Sequence, residues 1–416
     1  MMGRTLYLPR SRGWSRNLAA GVLVCVYEAA LWAALAPVPT PAPSQPQPFT
    51  VELVYQEAPA PIWSSLLGVA APEHLREGHP GTESAAKGKE RPPLRGFLKL
   101  TRNPTNQMAF IWDWASRRLS LDLNRNGDLA DDPQGVLTAA FPAASSEYCS
   151  QEFTNALVTC SDSFGNYQMR LDLTLRRSPP SGELGVGARV RSFYGGLVES
   201  GSQKWEVRII FGTVEKHEIR LRPWEAKRAA DPADKQWMDR FLLERPLFLQ
   251  DTLWQLALAS APTERSDRLR LELKPRPVEL GKLKLTGQYI ERLVLHGTNN
   301  ALLCRPDTIV SVPTGEYKDH RVRLRKGTTR GWSSLGESLT VTPQRAALID
   351  RGGPLTNWAS VQRSGGYLVM EHEIRGSGGL AYGVADENAG ISAPSFAIYR
   401  AGKPIGKGAF HCAGFG

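Results

Sequence analysis

The chain has 416 residues, 41% hydrophobic, 8% aromatic and 22% charged, which is enough apolar material for a core and too much for a disordered chain. Its 39 glycines and 30 prolines exceed average usage and favour many turns over long helices. Of the net charge of +10, Arg4, Arg10, Arg12 and Arg16 against Glu28 place +3 in the first 36 residues. The weakly basic remainder excludes a nucleic-acid arm, a polytopic transporter and a coiled coil.

The four arginines precede an apolar run from Leu18 to Val26, then Tyr27 and Glu28, then a second apolar piece from Ala29 to Ala36. Cationic flanks resist translocation, so residues 1–36 read as an apolar N-terminal helix held N-in, C-out, in an exported chain. Two outcomes stand beside each other. Ala34-Leu35-Ala36 has the small-x-small spacing of a signal-peptide cleavage site, whereas residues 17–36, if uncleaved, reach the roughly 20 residues needed to span a bilayer. The expected location is the cell envelope, either membrane-anchored or periplasmic and secreted. Residues 37–48 hold six prolines, alternating or nearly so, which forbids helix and gives an extended spacer; residues 37–96 as a whole read as spacer and linker.

From Phe97 onward apolar and polar residues alternate with period two. Phe97–Leu100, Met108–Trp112, Leu119–Leu123, Tyr167–Leu175, Trp205–Ile209, Ile219–Leu221, Leu269–Lys274, Leu283–Leu285, Arg321–Arg325 and Phe396–Tyr399 are the clearest runs. Strict alternation buries one face and wets the other, as antiparallel sheets require, and Gly, Pro, Asn and Asp clusters separate the runs. The expected fold is mainly β: tandem antiparallel β-sandwich (Ig-like) domains after the N-terminal helix and spacer. The expected divisions are a β domain over 97–245, a β-sandwich over 246–329 and a C-terminal Ig-like domain over 330–416. Trp237, Phe241 and Leu242 sit at helical spacing, so a short amphipathic helix is expected over Ala233–Glu244.

The segment Asp122-Leu-Asn124-Arg-Asn126-Gly127-Asp128-Leu-Ala-Asp131-Asp132-Pro133 carries side-chain oxygens at positions 1, 3 and 5 and glycine at 6, the spacing by which a tight loop wraps Ca²⁺. Pro133 stands where a helix–loop–helix site has its bidentate acid, so Asp131 and Asp132 serve instead. The expected ligand set is Asp122, Asn124, Asn126, Asp131 and Asp132, with Asp128 giving its carbonyl or acting through water. Two asparagines in place of aspartates lower the ligand charge and suit millimolar external calcium. An Asn-Gly turn with self-bonded side chains and no ion is the other reading.

Four cysteines, Cys149, Cys160, Cys304 and Cys412, lie outside the apolar segment, and an even count in an exported chain suggests disulfides. Of three connectivities, Cys149–Cys160 with Cys304–Cys412 is favoured by the short separation of the first pair. Neither His217-Glu-Ile-Arg220 nor His372-Glu-Ile-Arg375 has the second histidine a zinc protease needs. Both read as half-exposed strand pieces. Glu371 and Glu373 share a strand face and have the separation of a glycosidase pair, a geometry many β proteins offer. No nucleophile elbow or phosphate loop occurs, so no catalytic residue is assigned.

Three segments resemble a group of uncharacterised exported bacterial β-sandwich proteins. They are the loop at 122–132, the strand opener Val312-Pro-Thr-Gly-Glu-Tyr317, and the closing Phe396–Lys403 and Gly408-Ala-Phe410. The resemblance implies an adhesion or envelope module whose partners are an envelope protein or a polysaccharide, without nucleic acid. A polysaccharide-active enzyme or carbohydrate-binding module is the alternative.

Overall fold

The computed structural model describes residues 46–70, 93–101, 103–139, 149–178, 183–200, 203–212, 217–224, 238–260, 267–335, 337–365, 367–386 and 394–410. The N-terminal segment over 1–36 and residues 37–45 and 71–92 of the expected spacer and linker lie outside them; the rest of that linker is corrected, because Phe49–Glu57, Trp63–Ala70 and Leu94–Lys99 are strands and Leu53 is fully buried. Among the described residues the protein is mainly β, with helical turns limited to Pro104–Asn106, Pro133–Gly135 and Ser377–Gly379. No helix among them is long and apolar enough to cross a membrane.

The alternating runs fall in strands. Gln107–Asp113 buries Met108, Phe110 and Trp112, while its intervening residues are partly exposed. Gly165–Ser178 buries Tyr167, Met169, Leu171, Leu173 and Leu175 in the same way, with Asp172 buried as well. Eight strands make one sheet, in the order Val136–Thr138, Arg118–Leu121, Gln107–Asp113, Leu94–Lys99, Trp63–Ala70, Glu183–Val190, Gly165–Ser178 and Cys149–Asp162. Fourteen make a second. Its path runs Asp239–Leu242, Glu218–Pro223, Gln203–Ile210, Ser192–Ser200, Phe49–Glu57, Arg268–Arg276, Thr252–Ser260, Leu247–Leu249, Asn300–Cys304, Ile290–Gly297, Gly315–Lys326, Thr329–Leu335 and Gly383–Asp386, with Leu339–Val341 beside Gly315–Lys326. Inward faces of both sheets meet in one large apolar cluster that includes Phe110, Trp112, Phe153 and Leu171 from the first and Leu53, Tyr194, Trp205 and Leu271 from the second. That arrangement is a sandwich.

The divisions expected at 245/246 and 329/330 are both crossed by the larger sheet. Phe49–Glu57 pairs with Ser192–Ser200 on one side of the first division and with Arg268–Arg276 on the other, and Thr329–Leu335 pairs with both Gly315–Lys326 and Gly383–Asp386. Hydrogen bonding between strands distant in sequence leaves no trace in local composition, which is why glycine- and proline-rich stretches misplace the divisions.

A second apolar cluster lies under Leu280–Leu285, Ile309–Pro313 and Ala347–Ile349, which form a three-stranded sheet. Strands at the junction have both faces buried. Leu247 and Leu249 belong to the first cluster and Phe248 to the second; Val294 belongs to the first and Leu293 and Leu295 to the second; Leu302 belongs to the first and Ala301 to the second. A strand covered on both faces needs an unbroken apolar run rather than alternation, and these three supply one.

The helix expected over Ala233–Glu244 is corrected where the structure describes it. Residues 231–237 lie outside the described residues, and Asp239–Leu242 is a strand paired antiparallel with Glu218–Pro223. Period-two burial puts Asp239 and Phe241 inside. Asp239 there receives Arg292 at 2.8 Å and Arg323 at 2.9 Å, a buried arrangement that a solvated helix face would not provide.

Candidate metal centre and neighbouring clusters

The Asp/Asn loop leaves the strand Arg118–Leu121 and returns at Pro133–Gly135. Asp122 prolongs the sheet by donating its N–H to the Ala109 carbonyl at 2.9 Å. A Cβ at Gly135 would lie 2.2 Å from the Leu121 carbonyl oxygen, so only glycine lets the exit of the loop close on its entry. Gly127, at φ 88°, makes the sharp bend.

The loop is turned by its own side chains. Asn124 Oδ1 accepts the Asn126 N–H at 3.0 Å, Asn126 Oδ1 accepts the Asp128 N–H at 2.7 Å, and Asp128 Oδ1 accepts the Ala130 N–H at 2.9 Å. Asp131 Oδ2 draws in both carboxamides, accepting from Asn124 Nδ2 at 3.0 Å and from Asn126 Nδ2 at 2.6 Å. Asp132 reaches back to the loop entry, where its Oδ2 accepts the N–H groups of Leu123 at 2.8 Å and Asn124 at 3.4 Å. Arg125, at φ 60°, donates to the Thr159 carbonyl and ties the loop to the strand Cys149–Asp162.

Asp122 is the exception to this self-satisfaction. It is 3% exposed; its Oδ2 accepts the Gly127 N–H at 3.0 Å, while its Oδ1 is buried with no hydrogen-bond partner. A buried carboxylate oxygen without a donor is destabilising, and a cation beside it removes that penalty. The oxygens of Asn124 and Asn126 each keep a second lone pair. No group of three or more His, Cys, Asp or Glu side chains is placed to hold a metal among the described residues, so a cation here would draw on those carboxamides.

The Cys149–Cys160 pairing is corrected, while the pairing of Cys304 with Cys412 falls on a residue outside the described ones. Cys160 is a buried free thiol and Cys304 a half-buried one. Cys149 and Cys160 stand on one strand, opposite Arg177 and Tyr167 respectively, so eleven steps of about 3.3 Å separate them by some 36 Å, far beyond the roughly 4.4–6.8 Å between Cα atoms that a disulfide tolerates. Burial pushes both the Cys160 and the Cys304 thiols up to about 12, which makes them poor nucleophiles. Cys412 lies outside the described residues.

His217 is not a half-exposed strand residue. It is 8% exposed, its Nε2 lies 2.9 Å from Asp162 Oδ2, and Phe164, Tyr167 and Phe211 surround its ring. Tyr167 donates to the same carboxylate oxygen at 2.8 Å, and Phe164 N–H to the other at 2.8 Å. Burial alone would raise the Asp162 pKa, but the bonds from His217, Phe164 and Tyr167 outweigh it and hold the carboxyl below its usual value. This cluster joins the two sheets across 55 residues of sequence, a pairing no local pattern announces.

Glu371 and Glu373 lie on the hairpin Thr356–Ser364/Tyr367–Arg375. There Glu371 accepts from Ser360 at 3.2 Å and Glu373 pairs with Arg375 at 2.8 Å. A cleft of about 360 Å³ lies elsewhere, lined by Trp205, Gln250, Cys304, Arg305, Asp307 and Ser311 among others. Gln250, Asp251 and Arg305 all line it at φ 49°, 59° and 46°. Among the side chains of its lining residues, Gln250 Oε1 and Trp205 Nε1 are buried without partners. Comparison with protein-family models, with curated proteins and with solved structures finds no match to this chain.

Proposed function

We propose that the chain is an exported, non-enzymatic β-sandwich protein of the cell envelope, serving adhesion or surface binding, with a structural Ca²⁺ in the Asp122–Asp132 loop. The observation carrying the metal assignment is the buried Asp122 Oδ1 without a partner, in a loop whose other polar side chains are turned inward on one another. Asp122, Asn124 and Asn126 would supply side-chain oxygens, Asp131 and Asp132 the balancing charge, and Asp128 its carbonyl. The ion would brace the connection between Arg118–Leu121 and Val136–Thr138 rather than perform chemistry. Calorimetric titration of the chelated protein tests this: one Ca²⁺ per chain with a dissociation constant of about 10⁻⁴–10⁻³ M is expected. No binding at that range, or binding unaffected by Asp122→Asn, overturns it.

A carbohydrate-binding role is the second reading, favoured by the cleft. Gln250, Trp205, Arg305, Asp307 and Ser311 line a volume suited to a sugar unit or two, and three of its lining residues are left-handed. A glycan array with wild type and with Gln250→Ala decides it; no glycan retained by the wild type, or equal retention by both, removes the reading.

A further inference from the structure

Among the described residues, two hairpins, Thr356–Ser364/Tyr367–Arg375 and Ser395–Arg400/Lys403–Ala409, contribute none to either apolar cluster. They meet through Phe410, whose ring centroid is 5.2 Å from His372 and 5.1 Å from Phe396. A two-stranded ribbon without a core is marginal in water, so what its surface offers matters more than what it buries.

The second hairpin is chemically one-sided. Residues 395–409 contain Arg400, Lys403 and Lys407 and no carboxylate. Arg400 and Lys403 stand directly opposite each other beside the Ala401-Gly402 turn, a like-charge cross-strand pair that weakens the ribbon in isolation. Two large apolar residues sit beside them: Tyr399, opposite Pro404, is 63% exposed, and Ile405, left over at the register shift, is 64% exposed. Four of these five residues fall within three positions of the turn, so a tip-first approach presents them together.

We infer that this hairpin tip docks on an anionic phospholipid surface. Lysine and arginine are drawn to the negative potential of such a surface, which also relieves the Arg400–Lys403 repulsion. Tyrosine settles at the headgroup level and an aliphatic side chain gains only where an apolar phase lies beneath the charges. A polyanion in water would reward the basic residues but give nothing for Ile405, which is why lipid is the partner the residues fit. The inference depends neither on the calcium loop nor on the fate of residues 1–36.

Flotation of the full chain with phosphatidylcholine vesicles, with and without phosphatidylglycerol, tests it. At about fivefold per basic residue, the three should favour anionic over neutral vesicles by on the order of 100-fold at low salt, most of it lost near 1 M salt. The triple variant Arg400→Ala, Lys403→Ala, Lys407→Ala should lose that factor while keeping wild-type binding to neutral vesicles, to which any insertion of residues 17–36 contributes equally. Tyr399→Ala with Ile405→Ala should weaken anionic binding without changing its salt dependence. Lys407→Gln, expected to lose about fivefold, serves if the triple variant does not fold, and Arg363→Ala on the first hairpin should change nothing. An unchanged anionic-to-neutral ratio in the triple variant and in Lys407→Gln overturns the inference. So does single-stranded DNA that binds the wild type as tightly as the vesicles and is indifferent to Tyr399 and Ile405.

Discussion

Replacing Asp122 by asparagine separates an ion-binding loop from a self-bonded turn, because the two differ in sign and not only in size. The side chain does two things: Oδ2 accepts the Gly127 N–H at 3.0 Å, and Oδ1 is buried without a partner. Asparagine keeps one acceptor for Gly127 and removes the unsatisfied charge, but places an amide donor where a cation would need an oxygen. With a dissociation constant near 10⁻⁴–10⁻³ M, Ca²⁺ at about 10 mM stabilises the wild type by RT ln(1 + [L]/Kd), about 1.4–2.7 kcal/mol. The compact unit Gln47–Gly416 has an unfolding entropy of about 0.8 kcal/mol/K from its length, so the melting temperature should rise by about 2–3 °C over that in chelator. Asp122→Asn should show no calcium shift. In chelator it should melt at or slightly above the wild type, since a neutral amide replaces a buried, uncompensated carboxylate. The measurement is four melting curves, two proteins with and without calcium. A wild type indifferent to calcium, together with a variant destabilised equally in both media, refutes the ion and leaves the Asn-Gly turn.

Asp162 should make stability fall in acid. Its pKa is lower folded than unfolded, so its contribution is fully present above the unfolded value near 4 and fades as pH drops through the folded one; Asp162→Asn should flatten that acid limb in melts between about pH 5 and 2, and an unchanged limb would remove the role assigned to the cluster. Phe248→Ala, at a fully buried position on a strand covered on both faces, should cost about 3–5 kcal/mol in denaturant titration, whereas Val361→Ala at 61% exposure should stay within about 0.5. Native protein should leave Cys160 unmodified by thiol reagents until denaturant is added, and non-reducing peptide maps should contain no Cys149–Cys160 link; recovery of that linked peptide would refute the strand register.

The strands were legible because period two is a local signal: Met108 to Trp112 alternates in the chain and in burial alike. The loop was legible for the same reason, its turn-forming side chains lying two residues apart. What escaped is what depends on distant neighbours. Met238 to Leu242 fits a helical spacing as well as a strand, and only the ladder with Glu218–Pro223 decides between them. His217 looked unremarkable because its partners are Asp162 and Tyr167, far back in the chain. Cys149 and Cys160 escape for a related reason: a ten-residue gap is compatible with a fold-back, whereas these residues follow one strand with a bulge between Phe153 and Ala156.

The strand Leu247–Leu249 gives one face to each apolar cluster, with Phe248 on one side and its two neighbours on the other. It is a party wall between two rooms, and neither room can be rebuilt alone. A single inserted or deleted residue there would exchange the occupants of both clusters at once. Divergence in this stretch is therefore confined to like-sized substitutions.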